Sequence, residues 1–142
     1  LIETKKIKKD KSFSAVYEKI FFDIPSHWKW CYLGEIGDWR AGTTPNRKEP
    51  RYYNGEIMWF KSGELNNSVV YASEEKITEK ALKETSLRLN QIDDVMIAMY
   101  GATIGKTAIV GNISTTNQAV CTCTPFSGIN SRFLQILFFS KN

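Results

Sequence analysis

The chain has 142 residues, the size of one domain, because domains commonly hold roughly 100 to 200 residues. Hydrophobic residues make up 42% and charged residues 24%, which excludes wholesale disorder and allows a buried core without disulfides or a structural metal. No stretch approaches the roughly 18 apolar residues of a membrane span, and the lysine-rich start lacks the apolar segment of a signal peptide. Together with an odd number of cysteines, three, these features predict a soluble cytoplasmic protein.

The formal net charge of +4 is spread unevenly along the chain. Five cations and two anions lie between Arg40 and Lys61, and three cations and no acid lie between Gly101 and Asn142. The segment from Glu64 to Asp94 instead carries seven acids and four bases. Such asymmetry favours a polyanion on one face of the protein and solvent on another.

The first predicted elements lie between a basic start and a long loop. Residues 1–11 are basic and poor in apolar periodicity, and residues 1–23 are predicted to be a linker or the end of a preceding helix. A compact domain is predicted to begin at Ile24, where Pro25 favours an extended entry, and a first strand is predicted to run into Ile36. Residues 42–54 are rich in glycine, proline and asparagine and predict a long loop, a kind of segment that often carries function.

The rest of the chain predicts more strands than helices. Short apolar or alternating runs indicate strands, whereas a capping residue followed by helical spacing indicates a helix. Strands are predicted at 57–60, 69–71, 95–100, 107–110 and 119–124, and helices at 78–85, capped by Thr78, and from Asn130 or Ser131 onwards. This order predicts a mixed α+β fold, a strand-rich single domain with a few short helices. The second helix is apolar nearly all round and reaches the end of the chain, so we expect it to continue in a longer polypeptide and to pack on a partner or self-associate.

The segment Gly101–Thr107 is similar to a phosphate-binding Walker A loop but differs from it in two ways. Only three residues separate Gly101 from Gly105, where the Walker motif has four. The residues after Lys106 are rich in β-branched side chains and predict a strand, whereas phosphate binding uses a helix N-terminus. The segment is therefore predicted to be a hairpin turn without bound nucleotide.

Catalytic and metal-binding motifs are missing from the sequence. His27 is the single histidine, and Cys121 and Cys123 are separated by one residue, whereas paired zinc ligands usually have two or more between them. In a strand these two thiols share one face, which favours a place in the core. Asp93 and Asp94 precede a predicted strand and indicate a solvated turn. The sequence therefore predicts no catalytic residue, no metal and no cofactor of its own.

The segment from Arg40 to Tyr53 combines basic, hydroxyl and aromatic side chains. Arginine, lysine, threonine and backbone N–H groups can hold phosphates, and arginine and asparagine can read guanine and adenine edges. An exposed loop of a protein that binds no nucleic acid is commonly just as polar. Composition alone therefore leaves both interpretations open.

Seven motifs follow one another in a fixed order between residues 24 and 119. They are Ile24-Pro25-x-x-Trp28, Leu33-Gly34-Glu35-Ile36, Gly42-Thr43-Thr44-Pro45, Tyr52-Tyr53-Asn54-Gly55-Glu56-Ile57-Met58-Trp59, Gly63-Glu64-Leu65, Asp94-Val95-Met96-Ile97-Ala98-Met99-Tyr100-Gly101-Ala102-Thr103-Ile104-Gly105-Lys106 and Thr116-Asn117-Gln118-Ala119. In this order they resemble a target recognition domain of the specificity subunit of type I restriction-modification systems. The resemblance divides the chain into residues 1–23, a linker or the end of a preceding spacer helix; residues 24–129, the recognition domain; and residues 130–142, the start of a truncated spacer helix.

The resemblance implies a non-catalytic domain that binds double-stranded DNA and reads one half of a split sequence. It also implies partner modification and restriction subunits, which would use S-adenosylmethionine, ATP and Mg. We expect the loop from Arg40 to Tyr53 to set specificity, with Asn46 and Arg47 reading bases and Lys61 and Lys106 contacting phosphates. The predicted DNA-binding residues are Arg40, Thr43, Thr44, Asn46, Arg47, Lys48, Arg51, Tyr52, Lys61, Tyr100 and Lys106.

Two alternatives to a specificity subunit stay open at the level of sequence. A similar domain can form the C-terminal part of a fused methyltransferase-nuclease, in which case the whole protein would be an enzyme. The apolar terminal helix also fits a protein-interaction module that does not bind DNA.

Overall fold

The computed structural model describes residues 23–139, which belong to two compact units divided between Ile36 and Gly37. Apart from Asp23, the predicted linker at residues 1–23 lies outside the described residues, as do residues 140–142. The described part of the first unit contains one 3-10 turn, Leu33–Glu35. The predicted limits of the recognition domain at residues 24 and 129 remain predictions.

The described part of the second unit contains eight strands and two α-helices. In chain order they are β1 (Gly37–Ala41), β2 (Tyr53–Phe60), β3 (Val69–Val70), β4 (Glu75–Ile77), α1 (Glu79–Glu84), β5 (Val95–Ala98), β6 (Thr107–Val110), β7 (Ser114–Thr116), β8 (Val120–Pro125) and α2 (Ser131–Phe139). The predicted α+β class is confirmed. No helix within residues 23–139 is long and apolar enough to cross a membrane.

The strands form two sheets. The five-stranded sheet has the order β1-β8-β5-β6-β3, and the three-stranded sheet has the order β4-β2-β7. Two pairs are parallel, β2 with β7 and β3 with β6, and the other pairs are antiparallel. β1 pairs with β8 from Gly37 opposite Pro125 to Ala41 opposite Cys121, so the first and last strands of this unit are neighbours.

The core consists of two hydrophobic clusters. One lies on the five-stranded sheet and includes Phe60, Met96 and Val120, each with none of its surface exposed. The other gathers Trp59 and Ile77 from the three-stranded sheet with Ala81 of α1. Because Trp59 and Phe60 are consecutive and point to opposite faces of β2, this strand contributes to both clusters.

The prediction of a first strand running into Ile36 is wrong. The chain instead turns at Leu33–Glu35, where the carboxylate of Glu35 accepts a hydrogen bond from the backbone N–H of Tyr32 at 2.8 Å. The first strand begins at Gly37 and extends through Arg40 and Ala41. Arg40 therefore belongs to a strand and not to the loop that follows it.

The structure contains two further strands that sequence patterns did not predict. β4 carries two charged residues, Glu75 and Lys76, and β7 is made of hydroxyl side chains. Ser114, Thr115 and Thr116 are all buried, and the Thr115 hydroxyl donates to the backbone carbonyl of Met58 at 3.0 Å. The backbone of this polar strand pairs with the neighbouring strand β2, which supplies hydrogen-bond partners for its buried N–H and C=O groups.

The predicted hairpin at Gly101–Thr107 is confirmed. β5 and β6 pair antiparallel on either side of it, and Thr107 opens a strand, not a helix. Gly101 and Gly105 both have positive φ angles, 84° and 82°, which residues with a side chain rarely adopt. The two glycines therefore serve the tight turn.

Helix α1 follows its predicted cap. The Thr78 hydroxyl accepts a hydrogen bond from the backbone N–H of Ala81 at 3.2 Å and donates one to the carbonyl of Arg51 at 2.9 Å. Ala81 is fully buried and Leu82 is partly buried, so this side of the helix faces the core.

Replacing Thr78 by alanine is expected to lower the free energy of unfolding by about 1 kcal/mol, because the helix loses its side-chain cap. Urea denaturation followed by circular dichroism measures the change. Thr78→Ser is the matched control, since serine keeps the hydroxyl and should retain most of the stability. Equal losses in the two variants would contradict a capping role.

Candidate nucleic-acid interface

The ends of several strands meet at one edge of the five-stranded sheet. β1 and β5 end there, and β6 and β8 begin there, because Ala41 lies opposite Cys121 and Ala98 lies opposite Val120. The segments that leave this edge are residues 42–49, 99–106 and 117–119. We call these three segments the loop edge.

Hydrogen bonds tie the first and third segments of the loop edge together. The backbone N–H of Thr43 donates to the carbonyl of Thr116 at 2.9 Å, and the Thr44 hydroxyl donates to the side-chain oxygen of Gln118. Gly42 allows this close approach, because a Cβ atom there would collide with the carbonyl oxygens of Thr116 and Asn117. The structure therefore brings the predicted DNA-binding residues Thr43 and Thr44 to a fixed position.

The hairpin segment of the loop edge is exposed. Tyr100 has 49% and Ile104 has 66% of its surface accessible, and Lys106 is exposed as well. Lys106 forms no ion pair with any residue in the described range 23–139. Tyr100 and Lys106 thus project an aromatic ring and a positive charge from the same edge as Thr43 and Thr44.

Arg47 lies over two aromatic rings. Its guanidinium carbon is 4.7 Å from the ring centroid of Tyr53 and 4.9 Å from that of Trp59. Both rings are themselves fixed to the loop. The Tyr53 hydroxyl donates to the backbone carbonyl of Pro45 at 2.6 Å, and the indole N–H of Trp59 donates to the backbone carbonyl of Thr43 at 3.0 Å. Cation–π contacts of this kind hold a guanidinium in a defined plane.

Glu75 in β4 and Glu74 just before it neutralise the nearest cations. Glu75 accepts hydrogen bonds from Arg47 at 2.5 and 3.2 Å and from the ammonium group of Lys61 at 3.2 Å. Lys61 also donates to Glu74 at 2.9 Å. The hydrogen bonds from Arg47 lower the pKa of Glu75, and the same partnership raises the pKa of Arg47. Arg47 and Lys61 are therefore not free cations in this structure.

The predicted residues Arg51 and Tyr52 lie beside α1 and contact its Glu84. Arg51 pairs with Glu49 at 2.5 Å, and the Tyr52 hydroxyl donates to Glu84 of α1 at 2.9 Å. Asn46 accepts a hydrogen bond from the backbone N–H of Lys48 at 3.0 Å, so its carboxamide oxygen already has a partner. Lys48 is exposed.

Arg40 is hydrogen-bonded through its guanidinium to residues near the start of β5 and the end of β8. Its guanidinium donates to Asp94 at 2.6 Å and to the hydroxyl of Thr124 at 2.8 Å, and its side chain is 14% exposed. Asp94 is 1% exposed, so the prediction that Asp93 and Asp94 form a solvated turn is wrong for Asp94. Burial raises the pKa of Asp94, against the opposing effect of hydrogen bonds and the Arg40 charge. This geometry gives Arg40 a structural role.

The thiol of Cys123 lies in the core, on the face predicted from its strand position, and Cys121 is partly buried. Burial, together with the charge of Asp94, raises the pKa of Cys123 to about 12, so the thiol is protonated at neutral pH. No group of three or more metal-ligating side chains gathers among residues 23–139.

Sequence reasoning missed three residues that shape this surface, namely Trp59, Glu75 and Gln118. Trp59 carried a signal, because an aromatic ring beside a basic loop is a frequent partner of arginine. Gln118 lies in the motif Thr116-Asn117-Gln118-Ala119, which assigned it no role. Glu75 carried no signal, since its partner Arg47 is distant in sequence.

Comparison with known proteins gives consistent results. The family model described as "Type I restriction modification DNA specificity domain" matches residues 25–142. The specificity subunit of the type I restriction enzyme MjaIX from Methanocaldococcus jannaschii is 37% identical over 121 residues, which are 83% of this chain and 28% of that protein. The specificity subunit of EcoR124I/EcoR124II from Escherichia coli is 27% identical over 117 residues, 80% of this chain and 29% of that protein.

Solved structures show the same fold. The HsdS subunit from Thermoanaerobacter tengcongensis matches with a TM-score of 0.65 at 17% identity, over 84% of this chain and 28% of that one. A chain from a type I R-M system matches with a TM-score of 0.65 at 18% identity, over the same shares of both chains. This chain thus spans less than a third of the relatives' length. The curated relatives are specificity subunits, as the prediction of a non-catalytic recognition domain requires. With 118 of 142 residues matched by its model, the chain belongs to the type I restriction modification DNA specificity domain family.

Proposed function

We propose that this chain binds double-stranded DNA sequence-specifically and reads one half of a split recognition site. The observation that carries the proposal is the loop edge, where Lys106, a cation without an ion-pair partner in the described range 23–139, and the exposed ring of Tyr100 lie at the same edge as two fixed threonines. Ammonium groups supply phosphate contacts, and Arg47 of the same loop edge supplies a group that can read guanine. Membership of the specificity-domain family supports the same activity.

The roles proposed for individual residues follow their surroundings. Lys106 and Lys48 are exposed and are the proposed phosphate contacts. Thr43 and Thr44, whose hydroxyls are bonded to Ser86 and Gln118, complete the surface and hold the loop in place. Arg47, stacked and hydrogen-bonded, is the proposed base reader, because a guanidinium in a fixed plane can make a directional bidentate contact. Asn46, Arg51, Tyr52, Lys61 and Tyr100 complete the proposed surface. Arg40 is left out because its charge is neutralised by the buried carboxylate of Asp94.

The partners of the whole protein are part of the proposal. A specificity subunit would direct a modification and a restriction subunit. Those partner subunits would use S-adenosylmethionine, ATP and Mg. The α2 side chains Phe133, Ile136, Leu137 and Phe139 are 40 to 61% exposed, which supports the prediction that this helix meets a further helix or a second copy. A cytoplasmic location remains a prediction.

Two single variants test the assignment of base and phosphate contacts. Arg47→Ala should lower the ratio of cognate to scrambled affinity by about 5- to 150-fold, the value of 1–3 kcal/mol for one bidentate base contact. Lys106→Ala should weaken both duplexes alike and make the slope of log K against log salt about 0.9 less steep. Fluorescence anisotropy with a duplex enriched from a random library, and with its scrambled counterpart, measures both quantities.

The salt dependence also separates the proposal from a protein-interaction module that does not bind DNA. If the two exposed cations Lys48 and Lys106 meet phosphates, log K falls with log salt at a slope of roughly −1.8, and each further phosphate contact would add about −0.9. A flat response would contradict DNA binding and favour a protein-interaction module. A fused methyltransferase-nuclease would bind DNA with the same slope, but the curated relatives named above are specificity subunits.

A further inference from the structure

The carboxylate of Glu75 collects three hydrogen bonds from two cations. One oxygen accepts from Arg47 at 2.5 Å, and the other accepts from Arg47 and from Lys61, both at 3.2 Å. Glu75 is a β4 residue opposite Trp59 of β2, so the sheet itself fixes the distance between the carboxylate and the ring beneath Arg47. Isolated ion pairs at a protein surface are common and contribute little. Here the backbone of the carboxylate is fixed in a strand and the carboxylate is shared by two cations, so the group is a small ion-pair network with a defined geometry.

The charges in this group cancel. Arg47 and Lys61 contribute two positive charges, and Glu74 and Glu75 contribute two negative ones. A phosphate that approaches either cation also approaches a carboxylate, which repels it. The group therefore adds little to binding of arbitrary DNA, although it lies beside the loop edge.

The remaining hydrogen-bonding capacity of Arg47 is directional. Its two terminal nitrogens both donate to Glu75, while its Nε–H donates to no residue within the described range. A guanidinium has five N–H donors arranged along its edges, so the edge formed by Nε and one terminal nitrogen can still make two parallel bonds. The O6 and N7 atoms of guanine present the matching pair of acceptors.

We propose that Glu75 is a specificity-determining residue that positions Arg47 for a guanine edge and withholds the charges of Arg47 and Lys61 from phosphates. The inference rests on the proposed DNA-binding function and names a residue and a base for it. Glu75 does not contact the DNA in this proposal; it acts through Arg47. Its carboxylate lowers the affinity for arbitrary duplex and so widens the gap between cognate and other sequences.

Neighbouring glutamates provide a matched test. Glu75→Gln and Glu74→Gln each remove one negative charge from adjacent positions, but only Glu75 contacts Arg47. We expect Glu75→Gln to bind scrambled duplex several-fold more tightly than the wild type and to lower the cognate-to-scrambled ratio roughly 5-fold or more. Glu75→Gln frees about one additional cation to contact phosphate. The ratio of variant to wild-type affinity for scrambled duplex should therefore fall about 3.5-fold between 50 and 200 mM salt. Glu74→Gln should leave the ratio unchanged.

A second background separates positioning from folding. In an Arg47→Ala chain, Glu75→Gln should no longer change the ratio, because the residue through which it acts is missing. Circular dichroism of each variant confirms that it is folded. The probes are duplexes enriched by the wild-type chain from a random library, and scrambled versions of them.

The outcomes separate this inference from the function on which it rests. A wild-type chain that enriches no sequence contradicts the proposed function itself, and this inference with it. If the wild type selects a sequence but Glu75→Gln and Glu74→Gln change the ratio equally, the effect is one of net charge and the inference is wrong. A selected site without a G·C pair also overturns the inference. So does an effect of Glu75→Gln on the ratio that persists in the Arg47→Ala chain.

Discussion

Replacing Arg40 by alanine is expected to lower the free energy of unfolding by about 3–5 kcal/mol, the cost of leaving one partner of a buried ion pair alone. Asp94 is 1% exposed and lies 2.6 Å from the guanidinium, so its charge would have no replacement partner of equal strength. Urea denaturation monitored by tryptophan fluorescence measures the loss. Arg51→Ala is the control, since Arg51 pairs with Glu49 at the exposed surface and should change stability far less.

The loss in Arg40→Ala should depend on pH. Burial already raises the pKa of Asp94 in the folded chain, so its ionised form costs stability at pH values above that raised pKa. Without the Arg40 charge the pKa rises further, and the cost disappears as the pH falls and Asp94 becomes protonated. The difference between wild type and variant should therefore be larger near pH 7 than near pH 4. A difference that is equal at the two pH values, or larger in acid, would refute the ion-pair explanation.

Trp59→Ala is expected to have the second large effect, a loss of about 3–5 kcal/mol, because a large aromatic side chain in the core leaves a cavity. Trp59 is 1% exposed, packs against Ile77 and Ala81, and carries the indole N–H that holds the carbonyl of Thr43. The variant also removes one of the rings beneath Arg47, so sequence discrimination should fall together with stability.

Two further substitutions show which part of Trp59 matters. Trp59→Phe keeps a ring but loses the hydrogen bond to Thr43, and about 1 kcal/mol is the expected cost. Trp28→Ala removes a half-exposed tryptophan and should cost much less than Trp59→Ala. Chemical denaturation of the three variants provides the comparison. If Trp28→Ala cost as much as Trp59→Ala, the assignment of Trp59 to the core would be wrong.

Local sequence patterns predicted the elements whose stability is local. The Thr78 cap, the apolar strand at Val95 and the glycine-rich hairpin after it all depend on residues a few positions apart. β4 and β7 could not be predicted in this way. Their charged and hydroxyl residues become strand residues because β2 lies between them, and β2 is distant in sequence.

The candidate site shows the same division. The composition of the loop from Arg40 to Tyr53 allowed phosphate and base contacts without deciding for them, and the order of motifs indicated the family, which is confirmed. Composition could not show that the charge of Arg40 is directed to Asp94, because the two residues are 54 positions apart. It also could not show which acid pairs with Arg47, since Glu75 is 28 positions away. Ion pairs between distant residues are set by the sheet register, which short motifs do not encode.

The pairing of β1 with β8 has a consequence for biosynthesis. β1 is an edge strand whose pairing partner in the described sheet is β8, and Arg40 and Thr124 in these strands are 84 residues apart. At roughly 5–20 residues per second, a ribosome needs about 4 to 17 s to add the residues between them. During that interval β1 has no native partner, and such long-range strand pairing is intrinsically slow. The hairpin between β5 and β6 is local and can form before β8 is made, so we expect β1 to join the sheet only once β8 is available.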